Sequence, residues 1–457
     1  MTSADAADPT GTVDTRSSRA AATLPAGAVA PALRDLPSPR QQAYQDEVNL
    51  NDWLWSTPDD AYPFRDSAGR LGVATRRGDR LYVDTYDPRT FARVGAARDV
   101  SLTGWPLFGG FYAAPSGDFY VLLGKPNPAQ KDARNVVSVR RYSSTWQLLG
   151  TAYVKGGASQ GIKGIYQPFD AGAASMLLWG KRLVVHMSRL IYEDAEGVHH
   201  QGNLTFEVAT DTMTATTFDE RGEGPFASHS WRQYVARAGS SLLMLDHSDY
   251  FPRAVGLSVI AGYPGSRTIE AHEILPFGPA KVTGYTGTTV DGLVTGPQGA
   301  VVLGTMTKST EPLDDLDPTN DPKNAFLIKV NPANGQHRTR WLTSFSPTSP
   351  KRALEPRVVE VADDRFAVLF TVRVGERVIT YYRLIDSAGM VLAREQFRGT
   401  YFSSVSNPAR IGRKIFWIGI RADESSSPAP AYLFALDVRN PSVPVQLAPL
   451  AARRSAG

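Results

Sequence analysis

Residues 110–124, GFYAAPSGDFYVLLG, decide the fold: two short apolar runs flank a Pro-Ser-Gly-Asp turn, the pattern of an antiparallel hairpin. The same arrangement returns at 174–188 (ASMLLWGKRLVVHMS), 232–246 (RQYVARAGSSLLMLD), 291–305 (DGLVTGPQGAVVLGT), 357–372 (RVVEVADDRFAVLFTV) and 408–422 (PARIGRKIFWIGIRA). After a loop of variable length comes a second hairpin, as in 136–150 (VVSVRRYSSTWQLLG), 203–218 (NLTFEVATDTMTATTF), 325–345 (AFLIKVNPANGQHRTRWLTSF), 378–397 (VITYYRLIDSAGMVLAREQF) and 431–450 (AYLFALDVRNPSVPVQLAPL). Residues 71–100, LGVATRRGDRLYVDTYDPRTFARVGAARDV, fit the scheme more loosely. No segment shows helical periodicity. Four-stranded units without helices between them predict an all-β chain folded as a β-propeller. The reading gives seven four-stranded blades, starting near residues 61, 105, 162, 226, 284, 351 and 400, with six or eight as alternative counts. The segment 48–56, VNLNDWLWS, precedes them and is expected to add a closing strand or to cap one face.

Composition narrows the function. The 457 residues exceed what one core serves, which a ring of repeats accommodates. With 42% hydrophobic and 21% charged residues the chain has an ordinary globular composition. No apolar run approaches the roughly 18 residues of a membrane span. The formal charge of +4 comes from dispersed Lys and Arg, which argues against nucleic acid as partner. Cysteine is absent, which removes disulfides, thiolate metal sites and Cys nucleophiles. Residues 1–40 are rich in Ala, Thr, Ser, Asp and Pro and cannot bury enough surface to offset their ordering entropy. They are read as a disordered arm, with 41–457 as a single propeller domain. The arm lacks the apolar core of a secretory signal, so the residues point to a cytoplasmic protein, a non-classical export route or a signal already removed.

Five of the seven histidines, His186, His199, His200, His229 and His247, lie within residues 186–247. Imidazole titrates near neutral pH, so such clustering suggests a polar or chemical site. In a four-stranded blade, the entry to the innermost strand and the loop between the second and third strands share one face. The loops expected there are long and polar: GKPNPAQKDARN, SRLIYEDAEGVHHQGN, DHSDYFPRA and TKSTEPLDDLDPTNDPKN. On that face, near the groove between the third and fourth blades, fall His186, Arg189, His199, His200, Gln201, His229, Trp231, Asp246, His247, Asp249, Tyr250 and Arg253.

Three readings of this cluster compete. The side chains pin long loops by hydrogen-bonding backbone groups. Alternatively they bind a polar small molecule or carbohydrate, with Trp231, Tyr250 and Trp105 as flat platforms and Asp170, His186, Arg189, His200, Gln201, Asn203, Asp246 and Asp249 as polar partners. The third reading is catalysis by His229, His247, Tyr250 and Arg253, with Arg189 or Arg253 holding a substrate carboxylate, in a polysaccharide lyase or metal-assisted hydrolase. A protein-interaction scaffold is a further alternative. His200, His229 and His247 are the candidate ligands for a divalent metal, although no zinc spacing such as HExxH occurs. His199 and His200 are neighbours that point opposite ways on an extended strand, so one of them at most serves a shared ion. Asp314, Asp315, Asp317 and Asp321 are dense enough for calcium but lack the EF-hand spacing, and read as a solvated loop. Ser228 and Ser230 flank His229 without a GxSxG elbow, which argues against a serine hydrolase.

The ordered blocks FGGFYAAPSGDFYVLLG, PFDAG (168–172), VVHMSR, GVHHQGNLTFEVATDTM, SHSWRQYV and LDHSDYFPRAVGL resemble a group of poorly characterised bacterial propeller-like proteins over roughly residues 100–260. The resemblance implies a secreted or cell-surface role and a shared purpose for His186, Gln201, Asn203, His229, Asp246, His247 and Arg253. A looser likeness is to seven-bladed polysaccharide lyases. It implies His, Tyr and Arg acting on a uronate, with proton abstraction α to its carboxylate.

Overall fold

The computed structural model describes residues 22–23, 61–77, 79–157, 164–169, 174–218, 227–251, 253–266, 268–277, 286–307, 322–374, 377–397, 401–402, 407–420, 432–441 and 446–449. Among them there is no helix, and the chain runs from strand to strand as the hairpin pattern predicts. The first sheet is Ala61–Arg65, Leu71–Arg77, Arg80–Tyr86 and Arg98–Ser101, and the second is Leu107–Ala113, Phe119–Gly124, Asn135–Tyr142 and Leu148–Lys155, each in sequence order. Ala174–Trp179, Arg182–Leu190, Gln201–Ala209 and Thr214–Thr217 form the next meander, followed by Ser228–Ala238, Ser241–Phe251, Ala254–Ile260 and Ile269–Pro276. The pattern continues through Thr288–Gly296, Gly299–Thr307, Lys323–Val330 and His337–Trp341. Lys351–Ala362, Arg365–Val374, Arg377–Ile385 and Val391–Phe397 come next, and Ala409–Ile411, Lys414–Ile420, Tyr432–Asp437 and Gln446–Pro449 end the series.

The propeller arrangement is present, but the expected seven four-stranded blades are corrected to five sheets, of 4, 4, 9, 8 and 6 strands. The reason is local. A single pair, Gly202 with Ser228, joins two consecutive meanders into the nine-stranded sheet, and Lys323 with Arg352 does the same in the eight-stranded one. Residues 48–56 lie outside the described residues. Within the N-terminal arm, Ala22–Thr23 pairs in parallel with Gln446 and Leu447 of the last sheet.

Inner strands are covered on both faces, so their apolar runs are continuous: Phe119–Gly124 is buried throughout, while the outer strand Leu148–Lys155 is largely exposed. The core therefore sits between successive meanders. Leu122 packs with Leu183 and Val185, Leu243 with Val302, Val301 with Val368, and Trp417 with Leu369. Among the described residues the first and last sheets share no strand. Ala61, Leu71 and Val73 of the first sheet pack on Phe416 and Ile418 of the last, and the Phe91 and Phe416 rings lie 5.8 Å apart.

The tight turns need left-handed backbone. Gly180 and Gly239, at φ of 58° and 60°, supply it where the hairpins 179–182 and 238–241 reverse. At the other end of the innermost strands the ladder slips register, at Phe108/Gly110, Ser230/Gln233, Val290/Gly292 and Leu354/Arg357. These irregularities re-aim side chains where the long loops attach.

Candidate functional site

The polar centre of this loop-bearing end is Asp246, on Ser241–Phe251. Its carboxylate is 4% exposed and accepts from three neighbours on three other strands. The Ser230 hydroxyl donates to Oδ1 at 2.5 Å, the Asn203 amide donates to Oδ2 at 3.0 Å, and His186 Nε2 lies 3.2 Å from Oδ2. His186 Nδ1 is 2.8 Å from Thr205 Oγ1. A carboxylate can only accept, so Nε2 carries the proton; in the neutral ring Nδ1 then accepts from the Thr205 hydroxyl. Gln233 completes the network by donating from Nε2 to Ser230 Oγ at 2.7 Å. His186, Asn203, Thr205, Ser230 and Gln233 are all buried, as burying a charge requires partners of this kind. The far side of Asn203 holds the incoming chain: its Oδ1 accepts from the Ala227 N–H at 3.0 Å.

Alternation along the strands builds this pocket. His186 stands opposite Thr205, and Ser188 opposite Asn203. Ser230 and Gln233 are three residues apart and would face opposite sides of a regular strand. The register slip between them turns both toward Asp246.

His247, the next residue, points the other way. Its Nε2 lies 2.9 Å from Thr286 Oγ1, and its ring meets Phe277 edge-on at 5.3 Å. The Thr286 hydroxyl donates to the Thr288 carbonyl at 3.2 Å, so His247 Nε2–H is the donor to Thr286. Complete burial, reinforced by the positive charges of Arg232 and Arg253, pushes its pKa down to about 3. Arg232 itself lies 3.9 Å from the buried Asp291.

His199 and His200 diverge, as neighbours on extended backbone must. The His199 ring stacks on Tyr166 at 3.7 Å and its Nδ1–H donates to the Ile191 carbonyl at 2.9 Å. His200 Nε2 is 2.7 Å from Asp194 Oδ2, on the surface of the loop. The Asp194 carboxylate also accepts from the Val198 and Glu196 N–H groups. Those bonds, the Val198 one foremost, together with His200, hold its pKa down to about 2.

The structure thus brings together His186, Asn203 and Asp246. It places Arg189, fully buried, opposite Gly202 and Pro168, half-buried Gln201 opposite Leu190, and half-buried Arg253 beside the start of Ala254–Ile260. It separates His199, His200 and His247 from that group. Trp105 belongs to a different meander, stacked on the exposed Tyr153 at 5.9 Å with Lys125 Nζ 4.5 Å from its ring centre. His229 and Trp231 lie on Ser228–Ala238 and Asp249 and Tyr250 on Ser241–Phe251, at the strand ends next to the network, with their side chains outside the described residues. Asp170 and the acidic residues Asp314, Asp315, Asp317 and Asp321 also fall outside them.

In a serine nucleophile the histidine contacts the hydroxyl, whereas here the Ser230 hydroxyl donates to Asp246, which stands between it and His186. For a metal, the candidates His200 and His247 engage separate partners, and among the described residues no group of three His, Cys, Asp or Glu can hold an ion. The sequence reading missed Thr205, Gln233, Thr286 and Asp291, and took Ser230 only as a neighbour of His229. The signal was polar residues interrupting otherwise apolar inner strands, as in SHSWRQYVARA.

No protein-family model matches the chain, and no curated protein matches it. Among solved structures it is similar to a Synechocystis apocarotenoid oxygenase variant, at 12% identity and a TM-score of 0.42 over 75% of this chain and 71% of that one. It is similar to Pseudomonas brassicacearum lignostilbene dioxygenase, at 11% identity and a TM-score of 0.40 over 74% and 70% of the two chains. Similarity to the periplasmic gluconolactonase of Pseudomonas aeruginosa has 14% identity and a TM-score of 0.43 over 84% of this chain and 99% of that one. The propeller assignment rests on the strand pairing above, and the site on its own geometry.

Proposed function

We propose that this chain is a ligand-binding propeller that recognises a polar small molecule, a glycan foremost, where the strand ends of the 174–217 and 228–276 meanders meet. The observation that supports this reading is the buried network centred on Asp246. Filling a strand end with six polar side chains instead of apolar ones gives up hydrophobic stabilisation, and what it gains is a defined geometry. The network ties Arg182–Leu190, Gln201–Ala209, Ser228–Ala238 and Ser241–Phe251 together at the end where the long loops leave. Binding sites are built on scaffolds fixed in this way. In this reading His186, Asn203, Asp246 and His247 are positioning residues. Ligand contact falls to His229, Trp231, Asp249, Tyr250 and Gln201 on the strand ends, with Arg189 and Arg253 supplying positive charge. Catalysis is the weaker reading, because His247 is buried and kept neutral and Ser230 donates to a carboxylate.

A glycan array followed by calorimetric titration of the hits tests this, using wild type, Trp231→Ala and Tyr250→Ala. Loss of affinity by tenfold or more, about 1.4 kcal/mol, is expected in both variants with an unchanged far-ultraviolet spectrum. Unchanged affinity in both would remove the site from this face. Absorbance of unsaturated uronate products during the same incubations would instead establish lyase chemistry.

A further inference from the structure

At the opposite end of the ring, where the tight turns emerge, an open cleft of about 830 Å³ lies between the 238–241 turn, the 296–299 turn, the 331–338 hairpin and Ala388. Lys329 and Arg338 both line it, and they stand directly opposite each other across Lys323–Val330 and His337–Trp341. Like charges in that relation destabilise an antiparallel pair unless something between them carries the opposite sign. Among the described residues neither forms an ion pair. A comparable pair, Arg383 opposite Arg394, is relieved in another way: the Arg383 guanidinium lies over the Phe370 and Tyr381 rings at 5.7 and 5.1 Å. Among the described residues no Phe, Tyr or Trp lines the cleft beside Lys329 and Arg338.

His337 adds to the same wall. Its Nδ1–H donates to the Gly335 carbonyl at 3.1 Å, which leaves Nε2 as the nitrogen that can meet a ligand. Among the described residues no Asp or Glu lines the cleft. Asp364, beside it, is occupied by the Ser387 N–H at 2.9 Å and by Gln298 Nε2 at 3.5 Å. The Gln298 backbone is itself held by Ser387 Oγ at 3.1 Å, so this wall is preorganised.

We propose that this cleft binds a small polyanion, phosphorylated or polycarboxylated, whose negative groups sit between Lys329 and Arg338 with His337 at the rim. The proposal is independent of the Asp246 face. Calorimetric titration at low ionic strength with inorganic pyrophosphate and with citrate distinguishes the two anion classes, and glucose is the neutral control. At least one anion should bind wild type with a Kd below about 1 mM and raise its Tm. Lys329→Gln/Arg338→Gln should weaken that binding at least tenfold. So should Gln298→Glu, which places a carboxylate on an exposed position of the rim and leaves both cations in place. Both variants are expected to keep the wild-type far-ultraviolet spectrum. Absence of binding by either anion overturns the proposal, as does affinity that both variants retain.

Discussion

At the scale of single residues, His247 is fully buried, with Thr286 as its hydrogen-bond partner and Phe277 against its ring. His247 has its pKa lowered from 6.5 to about 3, so the unfolded chain binds a proton that the folded one refuses. Its contribution to stability is complete above pH 6.5 and is lost progressively as the pH falls toward 3. Between pH 7 and pH 5 this one group should remove about 2 kcal/mol. Urea denaturation at both pH values, on wild type and on His247→Gln, checks it: glutamine keeps a donor for Thr286 but cannot titrate, so the variant should lose less stability across the interval. Equal losses in the two proteins would show that His247 is not held neutral. Asp246 makes a different prediction. Asp246→Ala leaves the donors of Ser230 and Asn203 and the His186 ring buried without their acceptor. A loss of about 3 to 5 kcal/mol is expected, read as a fall in the denaturation midpoint. Asp246→Asn retains one oxygen acceptor and should lose less.

At the scale of elements, glycine substitutions separate backbone crowding from ordinary strand propensity. A Cβ at Gly304, in Gly299–Thr307, would stand 1.9 Å from the Thr289 carbonyl oxygen of the adjoining strand, and backbone cannot yield to it cheaply. At Gly256, in Ala254–Ile260, a Cβ meets nothing within 4 Å. Gly304→Ala should therefore cost more than about 3 kcal/mol, and Gly256→Ala should be neutral or gain a few tenths. Thermal denaturation of the two variants side by side tests the contrast. The hairpins themselves were legible in the residues, because paired apolar runs around Gly or Asp turns have no helical alternative. The clustering of His186 with Asp246 followed from that register. What escaped is what period-two reasoning cannot carry: the slip between Ser230 and Gln233 that gathers both at Asp246, and the lone Gly202–Ser228 and Lys323–Arg352 pairs that merge neighbouring meanders into larger sheets. Each depends on a single residue's backbone placement. Blade register puts His247 on the same face as Asp246, yet strand alternation sends its side chain to the opposite side, against Thr286 and Phe277.

At the scale of the whole molecule, the ring holds only if its first and last sheets adhere, and the contact between them is made by side chains. Phe416 is fully buried there, among Ala61, Leu71, Val73 and Phe91 of the first sheet and Leu433 and Ala435 of its own. Lys414 reinforces the seam from the rim, its Nζ donating to the Pro88 carbonyl at 3.3 Å and lying 5.3 Å from the Phe91 ring centre. Phe416→Ala leaves a cavity at a junction where, among the described residues, no strand of one sheet pairs with a strand of the other, and should cost about 3 to 5 kcal/mol. An interior substitution of similar size, Phe206→Ala between two consecutive meanders, should cost a comparable amount, but the two should differ in mechanism. Opening the seam exposes the edges of the first and last sheets together, so hydrogen exchange in Phe416→Ala should accelerate in Leu71–Arg77 and Tyr432–Asp437 ahead of global unfolding. In Phe206→Ala those two strands should stay protected until the whole ring unfolds. Equal protection of the two strands in both variants would mean that the ring is held shut by something other than this cluster.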